Sequence, residues 1–164
     1  MHSLESWRQK GSLALWQYTE NRGNYPGWHL SADDAACASL VALLDLFRSG
    51  GVAASRLVAV VPPTPDVLAV PNNRAAGFVA PKELLLSYSE TPSEWHFPSS
   101  LQPATLTVGD AFARQLRDGI AGIPSGKGDY SIGTDRRGNL RLTFWWRVTP
   151  PNNSSKPTPL RGAA

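Results

Sequence analysis

Fourteen prolines and fourteen glycines are spread through 164 residues, and this punctuation constrains the chain more than any other feature. Proline removes a backbone donor and glycine loosens the main chain, so regular structure runs only in the short intervals between them. A bundle of long helices is disfavoured, and a fold of short strands with a few helices is expected. With 41% apolar and 18% charged residues, the composition is that of an ordinary globular protein of about one domain. Such a chain buries roughly two thirds of its unfolded surface, so it needs no disulfide or structural metal.

The single cysteine, Cys37, cannot form an internal disulfide or a multi-thiolate zinc or iron–sulfur site. A reducing compartment follows as the expectation. The N-terminus has no basic stretch leading into an apolar run, so no secretion signal is expected. The longest apolar-rich stretch, 35–47, is interrupted by Ser39 and Asp45 and falls short of the roughly 20 residues that span a bilayer. The chain is therefore expected in the cytoplasm, away from membranes. Its formal charge of +3 makes a weak field. The excess is carried by twelve Arg against four Lys, and a guanidinium offers a planar fork for carboxylate or phosphate. Genomic base composition accounts for such Arg usage equally well.

The clearest element is a helix over about 31–48. Ser31 can cap it, Asp33 and Asp34 suit its first turn, and Ala36, Leu40, Leu43, Leu44 and Phe47 recur at helical spacing. Gly50-Gly51 ends it. A β-branched run over 56–61 and the run 84–88 read as strands. The stretches 64–80, with a short extended piece near 67–70, and 93–103 read as loops. A second helix over about 108–121 is capped by Thr107 and buries Phe112, Leu116, Ile120 and Ile123. The best hairpin signal is 129–148, turning through 135–139. Strict alternation sets Leu140, Leu142, Phe144, Trp146 and Val148 on one face, and Arg141, Thr143, Trp145 and Arg147 on the other. The N-terminal segment fits a short helix over 3–10 followed by a strand over 12–19, although a helical stripe also fits there. The expected fold is α+β: a mostly antiparallel sheet, two main helices and a C-terminal β-hairpin, in one domain over 1–148. A Pro/Asn/Ser-rich tail, 149–164, has too little apolar area to offset its ordering entropy. No internal repeat is visible.

Two stretches carry functional-looking residues. The segment 18–34 gathers Glu20, Arg22, Tyr25, Trp28, His29 and Asp33 before a helix start, where a polar or anionic ligand can be held. The competing reading is a pair of turns with Trp28 stapled to the helix, and Asp33 and Asp34 disfavour an anion. If this stretch is a ligand site, Glu20, Arg22, Trp28 and His29 should converge on one pocket. The hairpin offers Arg136, Arg137, Arg141, Trp145 and Arg147, with Arg114 and Arg117 nearby, as charge and aromatic anchors for an acidic protein or a single-stranded nucleic acid. The competing reading covers that face and places Trp145 in a second core layer.

His29, Asp33, Asp34 and His96 lack a diagnostic metal spacing, and Cys37 reads as a small buried side chain. The run 122–128 lacks the spacing of a phosphate-binding loop, and no hydrolase, zincin or dinucleotide signature is present. Neither metal nor cofactor is expected. The leading expectation is a small, non-enzymatic binding or accessory protein that recognises a protein partner. The alternatives are nucleic-acid binding through the Arg/Trp hairpin face, and an enzyme or small-ligand sensor using 18–34.

Overall fold

The computed structural model describes residues 2–73, 75–128, 130–134 and 141–146. In chain order these form β1 (Leu13–Tyr18), β2 (Trp28–Ala32), α1 (Asp34–Gly50), β3 (Ala54–Ala59), α2 (Pro65–Ala69), β4 (Phe78–Val79) and β5 (Glu83–Tyr88). There follow β6 (Trp95–His96), β7 (Ala104–Val108), α3 (Asp110–Gly122) with a 3-10 turn at its end, β8 (Tyr130–Ile132) and β9 (Leu142–Phe144). The fold is α+β as expected, with α1 and α3 as its two main helices, but it has two sheets where one was expected. One sheet runs β4-β1-β2-β9-β8 and the other β3-β5-β7-β6. Neighbouring strands are antiparallel except β2 with β9 and β5 with β7. The expected hairpin is present as β8 and β9, while its turn and the tail 149–164 lie outside the described residues. Among the described residues no helix is long and apolar enough to cross a membrane.

The connectivity repeats, although the residues do not. The order β1-β2-α1-β3-β5 matches β6-β7-α3-β8-β9, with α2 and β4 inserted in the first unit. In each unit the first two strands pair antiparallel, and so do the last two. The pairs then exchange: β2 lies parallel to β9 of the second unit, and β7 lies parallel to β5 of the first. Each sheet is thus built from half of each unit, and α1 packs on α3.

Alternation along the strands builds the core between these layers. Leu13, Leu15, Trp28 and Leu30 from one sheet and Leu84, Leu86 and Leu106 from the other pack with Leu40, Leu44, Leu116 and Ile120 of the helices. The five-stranded sheet is buried on its second face too. There Ala14, Trp16, Tyr18 and Trp145 meet Val67 of α2 and the partly buried Val70 and Phe78. Among the described residues nothing packs over the outer face of the four-stranded sheet, where Leu57 is half exposed.

Several boundaries depart from expectation. Ser31 is a strand residue paired with Ala14, and the cap of α1 is Asp33. Its Oδ1 accepts from the Ala36 amide at 2.8 Å while Oδ2 accepts from the Ser12 amide at 2.9 Å. Thr107 lies within β7, and Gly109 caps α3. Residues 3–10 hold a turn instead of a helix, and the indole of Trp7 donates to the Ser39 carbonyl at 2.8 Å. The loop read over 64–80 contains α2, which Thr64 caps with Pro65 at its first turn.

Candidate functional site

The second face of the five-stranded sheet carries polar residues in a cross-strand row. Trp28, Leu30 and Ala32 of β2 face the main core, which turns His29 and Ser31 to the other side. His29 stands opposite Trp16 on β1 and Thr143 on β9, and Thr143 stands opposite Ser131 on β8. The Ser131 and Thr143 hydroxyl oxygens are 2.7 Å apart. The loop 19–27 closes over this row. Asn21 takes φ 54°, its carbonyl accepts from the Tyr25 amide at 3.2 Å, and the Tyr25 hydroxyl donates to the Pro71 carbonyl at 2.8 Å.

His29 is 1% exposed. Its Nδ1 accepts from the Trp145 indole at 2.9 Å, and its Nε2 lies 3.2 Å from the Tyr25 carbonyl. A carbonyl only accepts and an indole N–H only donates, so these two bonds assign the neutral tautomer with hydrogen on Nε2. Trp16 and Trp145 stack on the ring at 5.7 and 6.1 Å, and Tyr18 meets it edge-on at 4.9 Å. Burial lowers its pKa to about 4, and the Arg141 charge pushes the same way while the Tyr25 carbonyl opposes. At neutral pH the ring is uncharged.

Arg141 enters from the start of β9 and is half-buried. Its carbonyl accepts from the Trp28 amide at 2.8 Å. Gly27, at φ 75°, packs so tightly that a Cβ there would sit 2.5 Å from the Arg141 oxygen. The Nε of Arg141 is buried and has no hydrogen-bond partner among the described residues. Beside it opens a cleft of about 650 Å³, walled by Asn24, Tyr25, Ser131, Arg141 and Trp146 with the buried His29 and Thr143 toward its floor. No family model matches the chain, and no characterised protein or solved structure compared with it is significantly similar. The cleft must be read from its own geometry.

The two sequence-derived sets meet here in part. Tyr25 and His29 from the loop and Arg141 and Trp145 from the hairpin line one cleft. The expected convergence of Glu20, Arg22, Trp28 and His29 does not occur. Glu20 accepts from the Gly77 amide at 3.2 Å, Arg22 is exposed, and Trp28 stacks on Phe97 at 4.7 Å in the main core. Asp33 caps α1. Trp145 is 6% exposed and belongs to the second core layer, so its ring is not a surface platform. Arg136, Arg137 and Arg147 lie outside the described residues. Arg114 and Arg117 on α3 pair with Asp110 at 3.5 Å and Asp45 at 2.7 Å.

Ser131 and Thr143 do not stand out in the sequence as cleft residues, although alternation along 140–148 already sets Thr143 beside Arg141 and Trp145. Trp146 was placed on the core face. Because β9 ends at Phe144, alternation lapses there and Trp146 joins the cleft. Among the described residues no group of three or more His, Cys, Asp or Glu can hold a metal.

Proposed function

We propose that the protein is a non-enzymatic binding protein that holds a small polar ligand in the cleft beside His29. The engagement of both His29 ring nitrogens carries this reading. A general base needs a free lone pair and a pKa near the working pH. His29 has its lone pair occupied by the Trp145 N–H and a pKa of about 4, so it serves as a rigid floor. A cleft of about 650 Å³ falls within the size of ligand sites, roughly 300–1,000 Å³. Its mixture of aromatic walls, amides and hydroxyls suits a ligand with one flat and one polar part. The single cysteine is buried, which fits a reducing, cytoplasmic setting.

The test is a titration of 15N-labelled protein with a library of small polar aromatics. Saturable shifts confined to the indole N–H signals of Trp145 and Trp146 and the amides of 21–29 are the expected result. Shifts scattered over the surface, or none, overturn the reading. The protein-partner reading keeps one supporting observation: Arg141 and Trp146 are half-buried and are the residue types that anchor interfaces. In that version a partner side chain enters the same cleft. Nucleic-acid stacking on Trp145 gains no support from a ring that is 6% exposed.

A further inference from the structure

We propose that the ligand carries an oxyanion, a carboxylate or a phosphate, and that the Arg141 guanidinium is what selects it. The inference rests on the cleft being a ligand site. Four described arginines are half-buried: Arg48, Arg56, Arg117 and Arg141. Arg48 donates to Asp110 at 3.0 Å, Arg56 to the Leu4 carbonyl at 2.7 Å, and Arg117 to Asp45 at 2.7 Å. Arg141 alone of the four has no acceptor among the described residues, and its Nε is out of reach of water. A guanidinium that has lost part of its hydration without gaining an acceptor is destabilising, and an anion met by its terminal nitrogens, which are not buried as Nε is, offsets part of that penalty.

The surroundings agree. Among the described residues no carboxylate lines the cleft. The remaining polar lining supplies amide and hydroxyl groups from Asn24, Ser131 and Thr143. Arg141 is also fixed in place through its carbonyl bond to Trp28 and its packing on Gly27. With its backbone and Cγ fixed in this way, the side chain can turn two terminal N–H groups of its guanidinium to one oxyanion.

The experiment measures binding by isothermal titration calorimetry for three probes of one shape: phenylacetate, phenyl phosphate and the uncharged phenylacetamide. Wild-type protein should bind at least one anion about tenfold or more tighter than the amide, the worth of one charged hydrogen bond. The tighter of the two anions identifies the natural oxyanion. Arg141→Gln should erase the preference by weakening the anions about tenfold more than it weakens phenylacetamide, and Arg141→Lys, which keeps the charge, should retain part of it. An unchanged far-UV circular dichroism melt shows that the variants fold. Equal affinity for amide and anions, or a preference surviving in Arg141→Gln, overturns the oxyanion inference and leaves the ligand-binding reading standing. Saturable binding of none of the three overturns both.

Discussion

His29 owes its protonation state to its neighbours. Unfolded, it titrates at 6.5; folded, at about 4. Between those values the unfolded chain binds a proton that the folded chain refuses, so stability is full above pH 6.5 and falls as the pH drops toward 4. The interval is worth about 3 kcal/mol. Urea unfolding at several pH values, compared with His29→Gln, should show this slope in the wild type and its loss in the variant; equal slopes in both would refute the assignment. Trp145→Phe keeps the stack but leaves the buried Nδ1 acceptor without its donor, and should cost about 1–3 kcal/mol by the same measurement. At this scale the sequence was only partly legible. His29 and Arg141 stood out by residue type, but the partnership of His29 with Trp145 spans 116 residues and leaves no local trace.

Elements that announced themselves did so through period and punctuation. The apolar spacing of 36–47 and the glycines behind it mark α1 within a few residues of its observed bounds. β2 stayed hidden because it is buried on both faces while carrying His29 and Ser31, so neither alternation nor an apolar run betrays it. Its end at Ala32 moves the cap from Ser31 to Asp33. Asp33→Ala removes acceptors for both Ala36 and Ser12 and should lower stability by about 1–2 kcal/mol, read as a shifted urea midpoint at unchanged slope. α3 carries a second test. Glycine within a helix ordinarily costs about 1 kcal/mol relative to alanine, so Gly119→Ala ought to stabilise. A Cβ there would stand 2.5 Å from the Phe144 ring and 2.7 Å from the Tyr130 hydroxyl. Helix and sheet approach too closely to admit it, and the variant should be destabilised by about 1–3 kcal/mol.

For the whole molecule, short strands and a Pro/Gly-rich chain were enough to indicate an α+β fold with few helices. The division into two sheets was not legible, because pairing across units depends on contacts far apart in sequence. The repeat was hidden by the insertion of α2 and β4 and by the shrinkage of β6 to Trp95–His96, against Leu13–Tyr18 for its counterpart β1. Because every sheet mixes both units, unfolding should be a single transition, with tryptophan fluorescence and far-UV circular dichroism superimposing along a urea titration. Two separated transitions would mean that the sheets melt independently.

The exchange of strand pairs also bears on what becomes of a severed chain. A break within 89–94, between β5 and β6, leaves each piece with two or more strands of either sheet and the edges that should meet the other piece unsatisfied. Each half is then a template for its complement, so the two pieces produced together should reassemble, whereas either one made alone should aggregate.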